Sequence, residues 1–362
     1  MTPIFYHRLL LLIALLILLA IGLNFGGSSI QLRDLFASDE SADLARLILL
    51  EVRLPRLLLA ALVGAALGMS GAAIQGLLRN PLAEPGILGI SSGGAAMAVI
   101  ALYLGFTGWG FSGWGFSGWS FAGWGFAGAG SSGAGGGGLN AWLLPLFAIT
   151  GSGLALAVIV WIARMNRSKV TIILAGVAIS AFCSGLIALV LSLSPNPFAF
   201  QEISYWLLGS FNGRDLGHVI LMLPGLLVGA WLLLTTRRYL LSLTLGEDVA
   251  HTLGFSNQHW RMRVLVGVAI ATGSAVALTG IIGFVGLIIP HLVRPLVRGR
   301  PDYLLLSSAL AGAVFLLGLD ILVQLLPTGP EIQVGALAAI IGGPFFLYLL
   351  LTNLLKGDVW RS

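Results

Sequence analysis

Few residues of this 362-residue chain are of a type that does chemistry, and most of those stand apart from one another. The only lysines are Lys169 and Lys356, and neither sits in the G-x-x-x-x-G-K-[ST] pattern that cradles a nucleotide phosphate. The five histidines are scattered, with no pair at metal-ligand spacing on a helix. The single Cys183 excludes an internal disulfide framework and a cysteine metal cluster. Gly68-Met69-Ser70-Gly71 and Gly89-Ile90-Ser91-Ser92-Gly93 match short serine-hydrolase patterns. Either serine would need a facing histidine as base, and His291 is the only candidate near an apolar run. Such matches arise by chance in a chain with 50 glycines. An ion-driven transporter would need acids at membrane depth. Asp320 is the only acid well inside an apolar run, and the sequence shows no partner charge for it.

The elements that carry these residues are membrane helices. Hydrophobic residues make up 57% of the chain and charged residues 9%, against about 25% charged in soluble domains. The apolar runs are long and unbroken, which excludes the period-two pattern of a β-barrel. Runs of about 18 residues cross the hydrocarbon core as helices. Ten are expected, at 9–24, 57–77, 87–105, 141–163, 171–193, 216–235, 264–279, 281–297, 303–325 and 334–355. The run 264–297 is too long for one span and is split at Gly280. With the N-terminus inside, 14 of the 19 cations fall on the inner side, as the positive-inside rule requires. The expectation is an all-α polytopic membrane protein with both termini in the cytoplasm. Gly64, Gly68 and Gly71 share one face of the second span, where small residues let helix backbones approach.

Three segments interrupt this pattern. An insert at 106–140 contains the repeat GWGFS-GWGFS-GWSFA-GWGFA followed by a glycine run. Glycine this dense does not sustain a helix. Its Trp109, Trp114, Trp119 and Trp124 suit the headgroup interface, and the plainer alternative is a spacer without a transport role. Between the second and third spans, Arg79-Asn80-Pro81 and Glu84-Pro85-Gly86 form a turn-rich break on the cytoplasmic side. The longest cytoplasmic loop, 237–263, holds Gly246-Glu247-Asp248 ahead of Val249, Ala250 and Leu253. This predicts a short helix with acids at its positive end, stopped by Gly254. It suits docking of a cytoplasmic partner, or else lies on lipid.

These segments together resemble the FecCD/BtuC-type permease subunits of bacterial ATP-binding-cassette importers for iron chelates, haem and cobalamin. The resemblance covers nearly the whole chain. It rests on Val52-Arg53-Leu54-Pro55-Arg56, on Gln75…Arg79-Asn80-Pro81-Leu82-Ala83…Gly89…Ser91, and on Tyr205-Trp206…Gly209-Ser210. Leu245-Gly246…Ala250…Leu253-Gly254, Gly283-Phe284-Val285-Gly286-Leu287…Pro290-His291…Arg294 and Glu331…Val334-Gly335…Gly342…Pro344 complete it.

The resemblance implies one transmembrane permease domain over 1–362, of type II importer architecture, in the bacterial inner membrane. It implies a homodimer, with the pathway along the interface between the copies. Two separate ATPase subunits, which use ATP and magnesium, would dock beneath Leu245, Gly246, Glu247, Asp248, Ala250, Leu253 and Gly254. A periplasmic binding protein would dock above, with Arg53, Arg56 and Glu331 among its contacts; the alternative for the two arginines is interfacial anchoring. No cofactor, metal or nucleic acid is expected on this chain, which itself catalyses nothing covalent. The second and fifth spans would offer Ser70, Gln75, Ser180, Ser184 and Ser192 to the pathway. The expected cargo is an iron chelate, a ferric siderophore or haem, with cobalamin as the alternative. Two departures stand out. Gln324 occupies a position where the family often has an Arg that joins the docking surface, and Gln333 stands where Pro is usual.

Overall fold

A helix in a bilayer must satisfy its backbone hydrogen bonds internally, and the apolar runs of this chain do so. The computed structural model describes residues 3–24, 40–86, 88–103, 143–165, 169–193, 200, 203–204, 207–326 and 332–355, and every regular element among them is helical. The chain opens with α1 (Pro3–Asn24). Helix α2 (Glu40–Leu47) continues through one wide π-helical turn (Ile48–Arg53) into α3 (Leu54–Leu78). Next come α4 (Ile90–Tyr103), α5 (Leu143–Met165), α6 (Lys169–Ser192) and α7 (Leu216–Thr235). Two short helices, α8 (Arg237–Leu243) and α9 (Glu247–Thr252), precede α10 (Asn257–Thr279). The chain closes with α11 (Val285–Val293), α12 (Pro301–Leu325) and α13 (Val334–Leu355).

Among the described residues, seven helices are long and apolar enough to cross a membrane, and α4 and α13 contribute shorter apolar helices. The remaining expected span, 281–297, is not a membrane-length helix. It holds only the nine-residue α11, about 13 Å at 1.5 Å per residue. Gly280 (φ +73°) and Phe284 (φ +67°) adopt left-handed conformations that an α-helix cannot contain. The chain therefore runs unwound from the end of α10 to the start of α11. Arg298 and Gly299, at φ +54° and +69°, turn it again after α11.

The second span also differs from its expected limits. Its helix reaches back to Ala45, giving 34 residues in one apolar run. Arg53 and Arg56 consequently lie within a helix instead of at its tip. The insert at 106–140, Tyr205, Trp206 and Glu331 lie outside the described residues.

Helix α3 is the hub, and its small residues are the reason. A side chain at Gly64 would run into the backbone of Gly312, one at Gly68 into the carbonyl of Ser308, and one at Gly71 into the backbone of Gly286. Backbone-to-backbone contact of this kind supplies the van der Waals packing that holds helices together in lipid. Burial follows it. The spans containing α3 and α10 are 78% buried, whereas α1 is 6% and α6 is 17% buried. The outer helices present Leu10, Leu16, Trp161 and Leu189 outward.

Helix α7 starts with a side-chain cap. Asp215 Oδ1 accepts a hydrogen bond from the His218 backbone N–H at 3.1 Å. It also lies 2.7 Å from His218 Nδ1, closer than the 3.3 Å between that nitrogen and the Asp215 N–H. With its proton on Nδ1, the ring donates to the carboxylate. That bond is the main reason the Asp215 carboxyl falls from 3.8 to about 2.

Two measurements follow from this packing. Gly312→Val should lower stability by at least about 1–3 kcal/mol, as overpacking does, and melting of the purified protein in detergent reads it. Asp215→Ala should cost about 1 kcal/mol near neutral pH, the usual worth of an N-cap. A depressed carboxyl pKa stabilises the fold above 3.8, and that contribution disappears as pH falls towards about 2. The gap in melting temperature between wild type and Asp215→Ala should therefore narrow over that interval.

Candidate functional site

The short helix expected in the loop 237–263 is present as α9. Gly246 precedes it at φ +126°, a conformation open to glycine and strained for any residue with a Cβ. Glu247 and Asp248 fill its first turn. It ends in a Schellman arrangement, in which Phe255 N–H donates to Ala250 O at 3.1 Å and Gly254 N–H to His251 O at 2.9 Å. Gly254, at φ +88°, takes the left-handed position.

Burial divides this helix into two faces. Ala250 is fully buried, while Leu245, Val249 and Leu253 are 68%, 40% and 59% exposed. Val249 and Leu253, four residues apart, share one side of the helix, and exposed Leu245 stands just ahead of it, so the three form an apolar ridge. Behind it stands an aromatic platform that sequence reasoning missed. Tyr239 of α8, Phe255 and Trp260 of α10 have ring centroids 5.5–6.1 Å apart. Arg263 lies over the Trp260 ring at 4.7 Å. Asn257 Nδ2 donates to Glu247 O at 3.1 Å, and Arg261 pairs with Glu247 at 3.5 Å. Helices α8, α9 and α10 thus form one braced block with an exposed apolar ridge. Three aromatic residues flanking the motif, Tyr239, Phe255 and Trp260, were the available signal.

At the opposite end of α3, the two arginines assigned to docking serve the fold. Arg53 is 5% exposed and donates from Nη1 to Leu23 O at 2.9 Å. Arg56 grips Asp320 of α12 through Nε at 3.0 Å and Nη2 at 2.8 Å. The carboxylate is fully buried and the Arg56 side chain 12% exposed. Gln324 Nε2 donates to the second carboxylate oxygen at 2.7 Å. Asp320 therefore has a partner charge, one that lies 264 residues away in the sequence. Gln324 completes the same buried cluster, and Arg56 is committed to an internal pair instead of a free docking surface.

A second polar joint links α3 to α11. Pro290 lies inside α11 and has no N–H, so the Gly286 carbonyl four residues earlier lacks its helical donor. Gln75 Nε2 supplies one at 3.3 Å and contacts Leu287 O at the same distance. Arg294 Nη2 then donates to Gln75 Oε1 at 2.8 Å. Gln75 is 1% exposed and Ser70 fully buried, so neither opens onto a pathway as expected; both belong to the packing of the hub. Ser70 Oγ and His291 Nδ1 each lack a hydrogen-bond partner among the described residues. The His291 ring instead meets Phe345 at 6.1 Å, so no Ser–His pair forms. Of the other pathway candidates, half-buried Ser180 donates to Gly86 O at 3.3 Å. Ser184 and Ser192 lie on the exposed side of α6.

The break after α3 is not a simple cytoplasmic loop. Arg79 caps α3 in a left-handed conformation, φ +51°. Asn80 Oδ1 accepts the Leu82 N–H at 2.9 Å, and Asn80 O accepts from Ala83 at 3.2 Å. The chain past Pro81 then folds back until Pro85 packs on Gly286, beside Leu67 and Gly71. Those residues lie roughly 10–16 Å up α3 from Leu78. Glu84 is thereby carried to membrane depth as a second acid, which its place between two prolines had disguised.

The Arg56–Asp320 pair gives a sharp test. Arg56→Leu leaves a buried carboxylate without its partner and should cost about 3–5 kcal/mol. Arg56→Leu combined with Asp320→Leu should recover most of that loss. Melting of the single and double variants in detergent measures both.

The geometry can be compared with known proteins. The FecCD transport family model matches residues 12–352. The ABC transporter permease YvrB of Bacillus subtilis is 38% identical over 84% of this chain and 78% of its own length. The hemin transport permease HmuU of Yersinia pestis is 34% identical over 94% of both chains. The vitamin B12 import permease BtuC of Klebsiella pneumoniae is 36% identical over 86% of this chain and 85% of its own. A solved structure described as a metal-chelate type ABC transporter, in an inward-facing conformation, superposes with a TM-score of 0.77 at 28% identity, covering 95% of this chain and 98% of that one. Permease subunits of this kind are not enzymes, and ATP hydrolysis belongs to a separate subunit. A helical multi-pass bundle with a braced apolar ridge, matched from end to end in this way, belongs to the FecCD family of ABC importer permeases.

Proposed function

We propose that this chain, as a single transmembrane permease domain, forms the pathway of an ATP-driven importer that carries an iron chelate, a ferric siderophore or haem, across the bacterial inner membrane. Two copies would enclose the pathway, with Ser180, Ser184 and Ser192 of α6 on its wall. A periplasmic binding protein would deliver the ligand at the Arg53 end of α3, with Glu331 contributing. The haem relative aligned over 94% of both chains and the metal-chelate transporter of the same architecture support the iron reading. The cobalamin relative at 36% identity supports the alternative cargo.

The observation that carries the mechanism is the exposed ridge of Leu245, Val249 and Leu253 on a helix braced from behind. An ATPase subunit seated on that ridge can push α9 without deforming it, because the aromatic platform passes the displacement to α8 and α10. ATP binding shifts the balance between two pathway conformations only through differential affinity for them. The sidedness has independent support. Arg8 Nη2 donates to Tyr303 O at 2.9 Å and Nε to Ser307 at 3.1 Å. The start of α1 is thus held beside the start of α12. Arg8 and Arg300 both lie against the Tyr303 ring, at 5.3 and 4.6 Å. A cation-rich end of this kind faces the cytoplasm.

Labelled ferric siderophore, hemin and cyanocobalamin, offered separately to a strain lacking only this chain, decide the cargo. Loss of one iron form alone supports the proposal, and loss of cobalamin alone selects the alternative. Gly246→Pro and Glu247→Arg should each lower uptake by about tenfold or more, equivalent to about 1.4 kcal/mol of lost coupling, at unchanged abundance in the membrane. Uptake at the wild-type rate in both would remove α9 from the coupling path.

A further inference from the structure

The end of the bundle where α1 starts gathers positive charge around one aromatic ring. Arg8 of α1 donates through Nη2 to Tyr303 O at 2.9 Å and through Nε to Ser307 Oγ at 3.1 Å. Its guanidinium lies 5.3 Å from the centre of the Tyr303 ring, and that of Arg300 lies 4.6 Å from the same centre. Arg300 donates through Nε and Nη2 to the two carboxylate oxygens of Asp302, at 3.2 and 2.8 Å. A guanidinium has five N–H donors, and these contacts leave Nη1 of both arginines without a partner among the described residues. Helix α8 opens on Arg237 and Arg238, both exposed, and packs against α12. Over the stretches 3–8, 237–243 and 298–303 at this end, five arginines stand against the single acid Asp302.

The walls beside this charge are apolar and open. Helix α1 packs against α12 but runs along the outside of the bundle, with only 6% of its span buried. Phe5 and Leu12 stand three residues before and four after Arg8, on the same side of α1, and both are exposed. Leu306, one turn beyond Tyr303 on α12, is exposed as well. Exposed Tyr6 is of the type favoured at headgroup level. Both helices start at this end, so Leu12 and Leu306 lie deeper in the bilayer than the guanidiniums. The seam between α1 and α12 thus offers hydrogen-bond donors and positive charge at the level of the headgroups, and apolar side chains at the level of the acyl chains. A soluble anion would use the charge and leave the apolar walls bare. An anionic phospholipid uses both.

We propose that this seam binds an anionic phospholipid, with its phosphate between Arg8 and Arg300 beside Tyr303 and its acyl chains along Leu12 and Leu306. Basic sites between membrane helices on the cytoplasmic side suit such headgroups. The phosphate takes up the unused Nη1 donors in charge-assisted hydrogen bonds and offsets the repulsion between two guanidiniums held at one ring. The bound lipid bridges α1, the least buried span, to α12. The proposal depends on insertion in a membrane and on neither the cargo nor the docking of an ATPase.

Native mass spectrometry of the purified full chain tests it, with the protein stripped of lipid in detergent and titrated separately with phosphatidylglycerol and phosphatidylcholine of the same acyl chains. Wild type should bind phosphatidylglycerol at least about fivefold more tightly than phosphatidylcholine, the factor expected of one cation near the headgroups. Arg8→Gln combined with Arg300→Gln should abolish that preference. Arg300→Gln alone spares the bonds from Arg8 to α12; it should reduce the preference, and it carries the test if the double variant does not fold. Arg46→Gln removes an exposed arginine near the opposite end of α1 and should leave the preference intact. Equal binding of the two lipids by wild type overturns the proposal, and so does an undiminished preference in the Arg8 and Arg300 variants. An equal loss in Arg46→Gln also overturns it, because net charge would then account for the preference. Full displacement of phosphatidylglycerol by an equal concentration of inorganic phosphate would overturn it too, since the apolar walls would then play no part.

Discussion

Pro290 has no N–H to give, and the Gly286 carbonyl one turn back needs a donor that only another helix can bring. Gln75 of α3 is that donor. The contact is possible only because Gly71 and Gly286 let the two backbones touch. Once α3 and α11 are in contact, the neighbouring geometry is constrained. The same face of α3 meets α12 through Gly64 and Gly68, and Arg294 reaches back to Gln75 Oε1. The proline, the amide and the glycines are separate in sequence and are parts of one joint.

Charges in this bundle follow the same economy of partners. At low dielectric an isolated carboxylate is prohibitively costly, and Asp320 has a specific answer. Asp320 receives a two-pronged guanidinium and an amide. Glu84 lines a small cavity beside Phe284, ahead of the start of α11. The exposed acids of α9 are different. Glu247 and Asp248 stand in solvent, where Coulomb terms are weak, and they serve the local helix end. Substitution of the buried Asp320 therefore acts on the whole fold, whereas substitution of Glu247 or Asp248 acts locally on α9.

This distribution separates a stiff centre from parts that are less constrained. Helices α3, α10 and α12 are buried and cross-linked by backbone contact. Helix α1 is pinned by Arg8 at one end and by the Leu23 carbonyl at the other, with Leu15, Leu18 and Leu19 packed on the core between them. The second half of α13 packs on α11 in a cluster separate from the main core. An importer needs both properties, a frame that keeps its register and elements that can shift against it at modest cost.

The helical membrane architecture was legible from composition, because 57% apolar residues in runs of membrane length have no other stable arrangement. The short helix at 246–254 was legible from local chemistry: a glycine, two acids, an apolar spacing and a second glycine. The glycines of α3 announced a packing face. The rest depended on contacts between residues far apart in the chain. The sequence could not reveal that Arg56 belongs to Asp320, that Gln75 replaces a donor lost at Pro290, or that the loop after Pro81 re-enters the bundle. Nor could it reveal that 281–297 is only half a span, since its hydropathy is that of a full one and the break is a short unwound stretch from Gly280 to Phe284. Hydropathy and turn chemistry act on neighbours along the chain, so sequence alone determined the elements and their medium. Which buried polar group answers which is settled only when the helices pack, and tertiary structure alone decided it.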